Sequence, residues 1–365
     1  IDRLDLAQMN PWMAADRMRI RSGALSVDAA LAVTAAGGID AQGELDLNEL
    51  RASLGDRDLG RTDVLARYNF LAGDGAFDLR HLDCSVRKDG EPAGNLSGSG
   101  RIALDGASGE IAVQGEKIDL DALQVFLADL SGVRIRSGTV NFNQKVTATG
   151  RKKPLGFAGR FDVASLTFDL PEKESARFEN WSLSGGNDLA YNPADRRLDL
   201  TRLQLEVAEP GQQALKGSGD GQIAFAEGEG TVNLRVEQVG APFLDSVLER
   251  LGSAGGDALR TTAGTLSGNT RIALARNFSD MNVTGSLETQ DLAWVSGDAS
   301  AAGDLGAQYN IAYSRENKRL EIAKTQLRVT WPDRPGGTVA VDGRLDLERM
   351  AGDLNFDFQQ FDSLL

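Results

Sequence analysis

The residue types that most often carry chemistry are scarce in this chain. One histidine, His81, and one cysteine, Cys84, stand among 365 residues. That excludes a disulfide framework, a His/Cys zinc site, and any Ser/His/Asp or Cys/His nucleophile not built on His81 alone. Gly98-Ser99-Gly100-Arg101-Ile102-Ala103 has the letters of a dinucleotide-binding turn, but that turn needs a strand before it and a helix after it. Here the segment opens an alternating strand. Asp105-Gly106-Ala107-Ser108-Gly109 lacks the alternate oxygen ligands and closing Glu of a calcium loop, and reads as a hairpin turn. The carboxylates are many, yet no pair of them stands out as a general acid and base. Arg17, Arg19 and Arg21, with Arg134 and Arg136, form alternating basic rows that suit a solvated strand face or its edge. Arg151-Lys152-Lys153-Pro154 reads as a loop. We expect no enzyme activity, cofactor or metal.

Composition narrows the class further. The net charge of −14 argues against a nucleic-acid surface. No run of about 18 apolar residues is present, so no transmembrane helix is expected. No secretory leader is visible, and a chain that starts at Ile1 is expected to be a processed or excised piece.

An internal repeat of about 120 residues organises the chain. Ser22-Gly23-Ala24-Leu25 recurs as Ser137-Gly138-Thr139-Val140 and as Ala263-Gly264-Thr265-Leu266. Gly100, Gly221 and Gly343 are 121 and 122 residues apart, and each is followed nine residues later by another glycine: Gly109, Gly230 and Gly352. Tyr68-Asn69, Tyr191-Asn192 and Tyr309-Asn310 mark a third equivalent point. Leu6, Met9, Trp12 and Met13 share their spacing with Leu120, Leu123, Phe126 and Leu127, and with Phe358, Phe361, Leu364 and Leu365, which predicts a short amphipathic helix at each place. The third copy carries a longer stripe, Phe243, Leu244, Val247, Leu248 and Leu251, before the loop Gly252-Ser253-Ala254-Gly255-Gly256. The expected repeats are 1–117, 118–236 and 237–355, with 356–365 starting a further one.

Between these helices apolar residues alternate with polar ones, the mark of antiparallel strands with one apolar and one wet face. In the first repeat the apolar side reads Leu25, Val27, Leu31, Val33, Leu45, Leu47, Ile102, Leu104, Ile111 and Val113. The second supplies Val140, Phe142, Phe161, Val163, Leu205, Val207, Ile223, Phe225, Val232 and Leu234. The third supplies Ile272, Leu274, Leu327, Val329, Leu345 and Leu347, followed by Phe356 and Phe358. The parity flips once per repeat: between Leu79 and Leu82, between Leu200 and Leu203, and between Ile322 and Leu327. An inserted residue restores the face, so a β-bulge and a sharp strand bend are predicted at all three. The same alignment places His81 with Arg202 and Lys324 at the solvated bulge. It places Cys84 with Leu205 and Leu327 on the apolar face, as a small hydrophobe.

The predicted fold is therefore mainly β: a long curled antiparallel sheet, or β-taco, of about three repeats with a few short helices. Such helices are too few to cover about 19 strands, which side by side would span on the order of 90 Å. The sheet must either close into a dry solenoid or stay open as a trough lined by aliphatic groups. An open lining with few polar groups suits acyl chains, each buried methylene contributing about 0.8 kcal/mol. The other reading is a closed scaffold or adhesive repeat with no lipid cargo. A carbohydrate-active solenoid would call for carboxylates and aromatics clustered along one outer face, and the 14 Phe, 4 Trp and 4 Tyr show no such cluster.

Ile1-Asp2-Arg3-Leu4-Asp5-Leu6-Ala7-Gln8-Met9-Asn10-Pro11-Trp12, Ile20-Arg21-Ser22-Gly23-Ala24-Leu25-Ser26-Val27-Asp28 and Gly43-Glu44-Leu45-Asp46-Leu47 resemble the AsmA-like proteins of Gram-negative envelopes. That superfamily includes AsmA, TamB, YhdP and YdbH. The echoes at Ile118-Asp119-Leu120-Asp121-Ala122-Leu123 and Phe361-Asp362-Ser363-Leu364-Leu365 are most similar to the YdbH-type branch. The resemblance implies a periplasmic protein held in the inner membrane by an amino-terminal anchor that this sequence lacks. It also implies a β-groove that conducts phospholipid toward the outer membrane, with an outer-membrane protein or lipoprotein as a partner.

Overall fold

The computed structural model describes residues 3–8, 18–35, 37–54, 57–105, 108–123, 134–150, 153–170, 177–210, 215–250, 260–296, 299–332, 336–349 and 351–360. The chain divides into two compact units, Ile1–Ser182 and Leu183–Leu365. Among the described residues the strands form an open antiparallel sheet of 20.

In the first unit the strands are β1 (Leu4–Asp5), β2 (Met18–Val33), β3 (Ile39–Leu54), β4 (Arg57–Gly73), β5 (Ala76–Lys88), β6 (Glu91–Ala103), β7 (Gly109–Asp119), β8 (Arg134–Ala148) and β9 (Leu155–Asp169). A single helical turn, α1 (Leu120–Leu123), follows β7, and β10 (Arg177–Asn192) carries the chain into the second unit. There the strands are β11 (Arg197–Ala208), β12 (Leu215–Ala224), β13 (Glu229–Gly240), β14 (Arg260–Ala275), β15 (Asp280–Ser296), β16 (Ala299–Ala302), β17 (Asp304–Ser314), β18 (Arg319–Thr330), β19 (Gly337–Asp346) and β20 (Ala351–Gln359), with α2 (Ala241–Arg250) after β13. From β1 to β9 each strand pairs antiparallel with the next. From β11 to β20 the rule repeats, β15 pairing with both the short β16 and β17.

All three predicted bulges are present. The register shifts between Leu79 and Leu82, between Leu200 and Leu203, and between Ile322 and Thr325. The last residue before each shift faces a glycine on the next strand, Gly100, Gly221 or Gly343. A Cβ at those glycines would stand 2.7, 2.9 and 2.9 Å from the Cα of Ile111, Val232 and Leu354, so only glycine lets the next strand approach so closely. Gly98-Ser99-Gly100-Arg101-Ile102-Ala103 lies inside β6, as the strand reading requires.

Close packing is concentrated along one end of the strands. Leu6, in the helical turn after β1, is buried with Ile20 and Ala52 against Leu25, Leu47 and Leu50. Asp5 caps that turn by accepting the Ala7 N–H at 2.9 Å, and Asp119 caps α1 by accepting the Asp121 N–H at 2.9 Å. Leu6 and Leu120 then reach over Gly23 and Gly138, the glycines of the recurring Ser-Gly strands. Opposite Gly23, Gly94, Gly138 and Gly264, all at positive φ, the chain passes through a left-handed residue: Glu49, Lys117, Ser165 and Asp291. Phe168, Phe178 and Trp181 stack nearby in the first unit. In the second, Val239, Ala241, Phe243 and Leu292 are buried where α2 packs on β14. Asp245 of α2 accepts the Thr261 hydroxyl at 2.6 Å.

Of the predicted short helices, the first turns at Leu6 and Leu120 fall among the described residues; Met9, Trp12, Met13, Phe126, Leu127, Phe361, Leu364 and Leu365 lie outside them, as do Leu251 and the loop from Gly252 to Gly256. Phe358, assigned to a helical stripe and to the apolar lining at once, belongs to strand β20.

Candidate functional site

Residues directly opposite one another in an antiparallel ladder share a face. In the first unit one such row runs Val27, Leu45, Ala66, Cys84, Leu96, Gly115, Phe142, Phe161, across eight strands without a polar member. In the second unit Leu200, Gly221, Val232, Ile272, Val283, Ile311, Ile322, Gly343 and Leu354 form another, across nine. A parallel row there holds Leu205, Gly217, Val236, Gly268, Leu287, Ala307, Leu327, Val339 and Phe358. The bulges keep these rows unbroken, because each one returns the later part of its strand to the same face.

Among the described residues nothing covers the rows. Among the described residues each strand packs extensively only on its ladder neighbours or a flanking helix. None of the lining residues named from the sequence is buried, and they range from half-buried to Phe358 at 66% and Val33 at 80% exposed.

The structure brings those lining residues onto one face in each unit. Leu25 faces Leu47, and Leu31 and Val33 face Ala41 and Ile39. Val140 and Phe142 face Val163 and Phe161. Ile102 and Ile111 face Gly109 and Gly100, and Val113 faces Gly98. Val207 faces Leu215, and Ile223 faces Leu198. Leu234 faces Thr270, and Leu274 faces Gly230. Val329 faces Leu305, Leu345 faces Leu320, and Phe356 faces Val341. Leu104, Phe225 and Leu347 lie elsewhere: each sits just past its strand, in the turn. Their N–H groups donate to the carbonyls of Gly75, Arg196 and Lys318 at 2.7, 2.9 and 2.8 Å. These three equivalent residues are 62%, 43% and 42% exposed.

Two features of the face escaped the sequence pattern. Tyr309 lies across Gly285 and shares a 2.6 Å hydrogen bond with Thr270, so its hydroxyl is satisfied within the apolar face. Tyr68 lies across Gly43 in the same manner. The signal was the tyrosine repeat itself, whose partner glycine lies on a different strand and so has no fixed sequence offset. His81 is exposed and 2.6 Å from Asp83. Cys84 lies on the apolar face between Ala66 and Leu96, and burial raises its thiol pKa. Arg136 pairs with Asp169 at 2.6 Å, Arg19, Arg21 and Arg134 are exposed, and Arg17, Arg151 and Lys152 lie outside the described residues.

No protein-family profile, curated protein or solved structure matches the chain.

Proposed function

We propose that the chain is a segment of an AsmA-like envelope protein whose uncovered apolar face holds phospholipid acyl chains. In this reading it is periplasmic, anchored in the inner membrane through a segment outside this sequence, and passes lipid toward an outer-membrane partner. The observation that supports it is the set of apolar rows crossing eight strands of the first unit and nine of the second, with no protein layer over them among the described residues. Leaving that much aliphatic surface in water is costly, and an alkyl chain removes the cost at about 0.8 kcal/mol per methylene. The rows carry almost no polar group that would fix one lipid position, so an acyl chain meets nearly the same surroundings at successive strands. The head group stays in water at the strand ends, beside Leu104, Phe225 and Leu347.

Photo-crosslinking residues at Phe142 and Asn143 test this directly, since the two neighbours lie on opposite faces of β8. With the protein secreted to a Gram-negative periplasm, mass spectrometry is expected to find phospholipid adducts at position 142 and none at 143. Equal labelling at both positions, or no lipid at either, overturns the proposal and leaves a scaffold role.

A further inference from the structure

The opposite, polar face of the second unit carries a depression of about 890 Å³, within the range of small-molecule sites. It spans β11 to β18. One wall is a ladder row of Arg235, Asn269, Ser286 and Gln308, and the other a row of Asn233, Arg271, Thr284 and Asn310. Two bulge residues close its ends. Arg202 sits in the shift between Leu200 and Leu203, and Lys324, left-handed at φ 50°, in the shift between Ile322 and Thr325. The repeat thus delivers a basic residue to the same structural position twice, at the two borders of one basin. In the first unit that position is His81, which is engaged by Asp83.

Charge makes the basin unusual. The whole chain is at −14, yet the lining holds four cations against one carboxylate, Asp220, which accepts a 2.8 Å hydrogen bond from Asn233. Elsewhere on the sheet surface some arginines have acidic partners, such as Arg67 with Glu44 at 2.8 Å and Arg344 with Glu321 at 3.3 Å. Arg235, Arg271 and Lys324 have none among the described residues, and Arg202 is held by the neutral Gln204 at 2.9 Å. Unpaired guanidinium groups fit carboxylate or phosphate oxygens, and the amides and hydroxyls between them offer alternating donors and acceptors. The one aromatic residue of the lining, Tyr309, has its hydroxyl bonded to Thr270 at 2.6 Å.

We infer that this basin binds an anionic saccharide, its acidic groups held by Arg235, Arg271 and Lys324 and its hydroxyls by the amide and hydroxyl rows. It lies on the face away from the acyl-binding rows, so it stands whether or not lipid is carried.

Calorimetric titration of the whole chain with an oligogalacturonate, a neutral malto-oligosaccharide of equal length, and inorganic phosphate tests it. The oligogalacturonate is expected to bind, with an affinity that falls as salt rises, and the neutral sugar not to bind. The double variant R235Q/R271Q is expected to weaken binding by about tenfold or more, with its melting temperature unchanged because both side chains are exposed. R67Q, a cation on the other unit, is expected to bind like the parent. Absence of oligogalacturonate binding, equal binding of the neutral sugar, or indifference to R235Q/R271Q overturns the inference. Phosphate binding as tight as the oligomer overturns the saccharide assignment, leaving a simple phosphate site such as a lipid head group would occupy.

Discussion

Gly100, Gly221 and Gly343 show how single residues set the spacing of neighbouring strands. A methyl group at any of them meets the backbone of the next strand rather than a movable side chain, so the ladder must spread. Gly221→Ala is expected to cost about 1–3 kcal/mol, while Gly306→Ala, whose nearest neighbour is the flexible Arg328 side chain at 3.7 Å, stays close to the parent. Thermal melts of the two variants decide it. Cys84 offers a second check at this scale. Its thiol keeps its proton to higher pH in the folded chain, so maleimide labelling is expected to be slower folded than unfolded. The folded state binds the extra proton, so stability is expected to decline as pH climbs through the ordinary thiol value of about 8.5. Cys84→Ala is expected to remove that part of the decline, which urea melts across the alkaline range measure.

Strands and their bulges were the most legible part of the sequence. Alternation fixes which side chains share a face, and a parity flip can be repaired only by an extra residue, so the breaks after Leu79, Leu200 and Ile322 could be read before any coordinates. The second set of irregularities could not. At Glu49, Lys117, Ser165 and Asp291 the backbone turns left-handed with ordinary side chains, because a glycine on the facing strand makes room for the bend. No local pattern announces a cause that lies on another strand. The candidate face was legible as a set of residues, while its openness was not: alternation looks the same under a second sheet as under water. A pair of truncations reads that difference. Phe178→Ala, within the packed end, is expected to cost about 3–5 kcal/mol, the range for a buried phenylalanine. Phe356→Ala, 55% exposed on the apolar face, is expected to cost well under half of that. Similar losses at both would mean that the face is covered in solution.

At the scale of the whole molecule, the polar and apolar faces are separately addressable. Val232→Glu is expected to leave the fold intact, because its side chain is only half-buried, and to abolish lipid adducts at a photo-crosslinker placed at its ladder partner Ile272 if acyl chains pass along the rows. Circular dichroism and lipid mass spectrometry on the same preparation measure both outcomes. Because strands lean almost entirely on the neighbours beside them, stability accumulates rung by rung instead of residing in one nucleus. Pulled from its carboxyl end, such a chain should unzip hairpin after hairpin in a sawtooth of small force peaks. Inserting or deleting a hairpin would then lengthen or shorten it without disturbing the rest, which makes reach a quantity that gene duplication can dial.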